Sequence, residues 1–131
     1  MTRTQLRWMV PVLALIGLLV FSVSADAKGA ETIVRLKGSS SYPGVSGKAK
    51  YKVDGTQREF EVEIEDANRL IGKTLTVSVN GKTVGTMRVN SFGSAALERN
   101  TRLRQTVPTI TSGATVRITT STGVLVASGR F

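Results

Sequence analysis

The sequence predicts an all-β domain of antiparallel strands, either an immunoglobulin-like β-sandwich or a small barrel of about 7–8 strands. Three observations lead there. Beyond residue 27, the chain of 131 residues contains 31 Val, Ile and Thr but only 6 Leu, and β-branched side chains suit a pleated, half-buried surface better than a helix. Polar and apolar residues alternate with period two in several segments. Turn-forming pairs such as Pro43-Gly44, Asp54-Gly55 and Asn80-Gly81 punctuate those segments.

Residues 1–27 stand apart from this domain. Arg3 and Arg7 precede an uncharged run from Trp8 to Val23, which ends in the small residues Ser24-Ala25-Asp26-Ala27. A basic start, an apolar stretch and a small-residue exit form the layout of a secretory signal peptide, expected to be helical through its apolar part. Ala25-x-Ala27 favours cleavage after Ala27, with cleavage after Ala25 as second choice. The uncharged run has 16 residues and contains Pro11, shorter than the roughly 20 apolar residues of a membrane span, so an uncleaved anchor ranks third. No Cys follows the run and no Arg-Arg pair precedes it, which argues against lipid modification and the twin-arginine route. The expectation is Sec-type export to the periplasm or the cell exterior, leaving residues 28–131 as one domain.

A first strand is expected over Thr32 to Lys37. Gly38 to Gly47 follows as a long Ser- and Gly-rich surface loop. The clearest strands are Lys48–Val53 and Glu59–Glu65, where Ala49, Tyr51, Phe60, Val62 and Ile64 share one face and the Lys and Glu residues the other. A connection over Asp54 to Gln57 sets Tyr51 against Phe60 and Lys50 against Glu61. A shorter loop moves the partners by two but still sets Lys against Glu. Asp66 to Gly72 allows at most one helical turn.

Leu75, Val77 and Val79 form the next inward face, and Asn80-Gly81 is the pair suited to a type I′ hairpin turn. On the return strand from Lys82 the apolar positions change parity between Val84 and Met87, which predicts a bulge at Gly85. Weaker strands are expected at Ala95–Arg99 and around Arg102–Val107, where Pro108 marks an edge or an exit. The chain closes with strands at Ala114–Thr120 and Val124–Phe131 about Ser121-Thr122-Gly123.

The hairpin run Val77-Ser78-Val79-Asn80-Gly81-Lys82-Thr83-Val84-Gly85, the pair Val107-Pro108 with Gly113, and the ending Gly123-Val124-Leu125-Val126-Ala127-Ser128-Gly129-Arg130-Phe131 resemble small exported all-β domains of uncharacterised bacterial proteins. The resemblance covers roughly residues 32–131. It implies a fold and no activity, and it carries over no functional residue.

Composition closes several chemistries. The chain has no Cys and no His, which excludes Cys- or His-based nucleophilic catalysis, Ser-His-Asp triads, thiol redox work and zinc sites of the usual N/S type. No cofactor or metal is expected. Asp66-Ala67-Asn68 could offer two oxygens to Ca²⁺, well short of the six to eight such an ion takes, and a local turn explains them better. Tyr42, in the Ser-rich loop, is a candidate contact residue or a side chain packed on the end of the domain.

Charge is distributed unevenly. Residues 28–66 hold seven basic and seven acidic side chains, whereas residues 67–131 hold nine basic ones against Glu98 alone. The densest basic cluster, Arg99, Arg102 and Arg104, is the candidate anion-binding site, with Arg102 and Arg104 expected on one strand face. A solvated basic surface that favours solubility is the competing explanation. A nucleic-acid role is disfavoured, since few aromatics remain for base stacking and the chain is expected to leave the cell. Anionic envelope polymers or acidic proteins fit better as partners.

The Glu59-Glu61-Glu63-Glu65 ladder sets the one enzyme test. Carboxylates two apart on a strand lie about 6.6 Å apart along the backbone, within the roughly 5–9.5 Å that glycosidase pairs span. A general acid needs a raised pKa, usually from burial. These four instead point away from Phe60, Val62 and Ile64. The expected function is therefore a non-catalytic, exported binding, structural or adhesion-like module of the cell envelope or exterior. The alternative is a carboxylate-dependent glycan hydrolase, and assembly through free strand edges is a third class.

Overall fold

The computed structural model describes residues 29–131, and the expected signal peptide, with its helix and cleavage point, lies outside the described residues. Eight antiparallel strands follow: β1 (Ala30–Gly38), β2 (Ser46–Asp54), β3 (Gln57–Glu65), β4 (Thr74–Val79), β5 (Lys82–Arg88), β6 (Ala95–Asn100), β7 (Thr115–Thr120) and β8 (Leu125–Arg130). They form one sheet in the order β5-β4-β7-β8-β1-β2-β3-β6, rolled into a nearly closed barrel. Of the two expected architectures the barrel is the one formed, because a sandwich would need a second sheet.

The period-two pattern of β2 and β3 sets the register. Tyr51 pairs with Phe60, Ala49 with Val62 and Lys50 with Glu61, as expected for a connection over Asp54 to Gln57. Pairing continues to Asp54 and Gln57, so the turn itself is only Gly55-Thr56. Gly55 takes φ 63° there, a backbone angle open to glycine at little steric cost.

The β4–β5 hairpin turns on Asn80 and Gly81, both at positive φ (51° and 82°), as a type I′ turn requires. Val77 pairs with Gly85 and Ser78 with Thr83. Val84 is therefore the extra residue, and the bulge restores Met87 and Val89 to the interior. A single 3₁₀ turn at Asn68–Leu70 occupies the segment given one helical turn.

One expected strand is absent. Thr101–Leu103 forms a 3₁₀ turn closed by Arg104 at φ 61°, and the backbone from Gln105 to Thr111 is irregular. Asn100 redirects the chain here, because its side-chain oxygen accepts the Arg102 backbone N–H and caps the turn. Arg102 and Arg104 therefore do not share a strand face.

Inward side chains from every strand build one core around Phe60, Leu36, Ile64, Leu75 and Ile118, and no buried residue among those described is polar or charged. Glu31–Phe131 is a compact unit that holds this entire core. The sheet has two halves, β1-β2-β3-β6 and β5-β4-β7-β8, which the ladder joins where β1 pairs with β8 through Lys37–Ser128 and Gly38–Ala127. At the opposite seam, between β5 and β6, side chains do the closing. Gly85 lies against Leu97, and Arg99 Nε reaches the Val84 carbonyl at 3.4 Å.

Two glycines test the packing. A Cβ on Gly47 would press on the Glu63 backbone carbonyl, whereas one on Gly44 would meet nothing within 4 Å. Gly47→Ala is expected to lower stability by about 2–4 kcal/mol and Gly44→Ala by less than about 0.5 kcal/mol, read from urea unfolding midpoints.

Candidate functional site

Alternation in the strands turns the charged residues outward, and the strand order then decides which of them meet. The sequence cluster Arg99-Arg102-Arg104 is divided by this geometry. Arg99 pairs with the inward Phe60 and sends its guanidinium to the β5–β6 seam. Arg102 sits in the 3₁₀ turn, with Nη2 3.8 Å from Asp54 Oδ2. Arg104 occupies the left-handed residue that ends the turn, exposed to solvent. The three arginines thus have three different settings, a seam contact, a surface ion pair and a turn-closing position.

A different cationic surface is assembled by the β1–β8 joint. Thr83, Ser78, Arg117, Ser128 and Lys37 form one continuous outward row across β5, β4, β7, β8 and β1. Arg117 and Lys37 flank Ser128 in that row, about 9.6 Å apart at the backbone because two strand spacings separate them. Arg130, two residues beyond Ser128 and paired with Thr115, extends the same face, as does Arg35, two residues before Lys37. All four cations are exposed. Strands β4, β5, β7 and β8 contain no Asp or Glu, and the only carboxylate on β1 is Glu31, toward its far end.

Position along the chain does not group the four cations of this wall. Arg35 and Lys37 fall in the charge-balanced third of the chain, and only the β1–β8 pairing brings them to Arg117 and Arg130. Their common parity on a strand was a visible signal; their neighbours across the ladder were not. Beside the wall, Ile33, Arg35, Ser46, Lys48, Glu63 and Glu65 line a shallow groove of about 250 Å³. A groove of about 430 Å³ between the β4–β5 turn and Thr106–Thr109 has Lys82 as its sole charged lining residue.

The glutamate ladder lies outward on β3. Glu61 accepts a 3.1 Å ion pair from Lys50 Nζ, and Glu59 accepts a 3.0 Å hydrogen bond from Asn100 Nδ2. The hydrogen bond to Glu61, reinforced by that carboxylate's charge, raises the Lys50 ammonium above its usual 10.5. Glu63 borders the shallow groove together with Lys48. Asp66 takes φ 60°, the Ala67 backbone N–H donates to the distant Gly93 carbonyl, and Asn68 opens the 3₁₀ turn, so the three residues serve the backbone. No group of three or more potential metal-ligating residues gathers among the described residues.

Tyr42 is half-buried against the core, with the Arg69 guanidinium 5.2 Å from its ring centroid. Arg69 also donates to the Ser41 carbonyl at 3.1 Å. Arg58, another residue the sequence did not single out, turns toward the barrel end and donates to the Val107 carbonyl at 3.3 Å. No family model, curated protein or solved structure matches the chain.

Two outcomes follow from these contacts. Arg99→Met removes the seam contact and is expected to cost about 1 kcal/mol, with faster amide exchange concentrated in β5 and β6. For Lys50 the folded pKa is raised, so its contribution is full below the unfolded value near 10.5 and fades as pH rises through the higher folded value. Lys50→Met is expected to lower stability by about 0.5 kcal/mol at pH 7. Urea titrations of the two proteins should draw together as pH rises past 10.5 and through the higher folded value.

Proposed function

We propose that the chain is an exported, non-catalytic binding module of the cell envelope or exterior whose β7–β8–β1 wall holds anionic polymers or acidic protein surfaces. The observation that carries this reading is the row Arg117–Ser128–Lys37, flanked by Arg35 and Arg130 and free of carboxylates across four neighbouring strands. Cations of one sign on a broad face raise the local concentration of polyanions and speed their capture. Ser128 and Thr115 add hydroxyls between the charges, able to bond sulfate, phosphate or carboxylate oxygens. Export rests on the layout of residues 1–27.

The glutamate ladder supports the non-catalytic part of this reading. Glu61 keeps Lys50 beside it, and Glu59 accepts a hydrogen bond from Asn100, so both carboxylates already have partners on the outer face of the sheet. The aromatics favour a polymer read by its charge over one read by stacked bases: Tyr51 and Phe60 are buried, Phe131 packs edge-on against Tyr51, Arg69 lies over Tyr42, and Phe92 stands alone as an exposed ring.

Heparin serves as a general polyanion probe. The variant Arg35→Ser, Lys37→Ser, Arg117→Ser and Arg130→Ser is expected to bind it about tenfold or more weakly, with a shallower dependence on salt. Arg102→Ser with Arg104→Ser is expected to change affinity less than about threefold. Equal loss in both variants would overturn the assignment of the wall, and absence of heparin binding by the unmodified protein would overturn the reading itself.

A further inference from the structure

The barrel carries charge of opposite sign on β3 and β6, past β2 from the basic wall. Counted around the sheet, β1 of the basic wall and β3 of the acidic face are separated by β2 alone, and β6 lies three strands beyond β1. The outward face of β3 and β6 presents Glu59, Glu61, Glu63, Glu65 and Glu98, with Asn100 and Ala96 between them and no cation on either strand's outer face. Glu61 stands directly opposite Glu98 in the ladder. Like charges in that position weaken a sheet, and neither the core nor a turn requires Glu98. Among the described residues, Glu63, Glu65 and Glu98 make no ion pair within 4.0 Å. Lys50 answers Glu61 from the β2 side, which leaves Glu98, on the β6 side, as the member of the pair that a cationic surface from outside would meet.

The same chain presents such a surface. We infer that the β7–β8–β1 wall of one molecule docks on the β3–β6 wall of a second copy. The contact joins two different patches of one chain and is heterologous, so each added molecule leaves one basic and one acidic wall free. Because the two walls lie on different strands of one barrel, successive copies add head to tail. The net charge of +9 opposes approach at long range. At about 0.1 M salt, charges separated by more than about 10 Å are largely screened, while pairs in contact across the walls still attract. This inference does not rest on the polyanion reading, but the two share the basic wall, so a polyanion competes with the neighbouring copy.

The experiment uses residues 28–131, which include the compact unit and its complete core, in sedimentation over a concentration series. At about 0.1 M salt the average mass is expected to climb past that of a dimer, and to return to monomer near 1 M, where screening acts within about 3 Å. Glu61→Lys with Glu98→Lys is expected to remain monomeric, as is Arg117→Glu with Arg130→Glu. Mixed, these two variants each keep one native wall and should form a 1:1 dimer that grows no further.

A monomer at every concentration would overturn the inference. So would a symmetric dimer indifferent to both pairs of substitutions. The behaviour of the unmodified protein decides the matter even where a variant fails to fold, which circular dichroism would reveal. Stacking without heparin binding would overturn the polyanion reading alone; heparin binding by a protein that never stacks would overturn the stacking alone.

Discussion

The fold depends on the alternation of side chains along β3. Phe60, Val62 and Ile64 are fully buried while Glu59, Glu61 and Glu63 stand on the other face. A register slip of one residue would exchange the two sets, burying carboxylates and exposing the centre of the core. Neighbouring strands are held by that constraint. Tyr51 and Ala49 come inward on β2 because they pair with Phe60 and Val62, and Leu97 and Ala95 come inward on β6 because they pair with Val62 and Ile64.

Features encoded within a few residues were the legible ones. The Asn80-Gly81 turn, the bulge beside Gly85 and the β2–β3 register are decided by local backbone angles or by the parity of adjacent strands, so a linear reading reaches them. The segment after Asn100 reads as a strand because Arg102, Leu103 and Arg104 carry an alternating polar–apolar pattern. The Asn100 side chain overrides the pattern by capping Arg102, and a capping asparagine looks like any other polar residue until its partner is known. Sandwich and barrel likewise share every local signal. They differ only in whether β1 meets β8, a contact between the two ends of the domain.

The same limit governs the candidate site. Counting charge along the chain gathers Arg99, Arg102 and Arg104 into one group, since they are close in sequence. Counting around the barrel separates them and groups Arg35 and Lys37 with Arg117 and Arg130. Adjacent strands here can be remote in sequence, as Lys37 and Ser128 are, so surface electrostatics is a property of strand order. What composition did convey correctly was the near absence of carboxylates after residue 66. The basic wall owes its clean sign to that bias.

The position of β8 has a consequence for how the chain matures. This strand comes last in the sequence yet occupies the middle of the sheet, between β7 and β1. Until Leu125–Arg130 emerges from the ribosome, the earlier strands can form two separate ribbons with no ladder between them. Contacts so distant in sequence make closure slow. Closure of the barrel thus waits on one strand, the piece that both ribbons need before either has a neighbour across the joint.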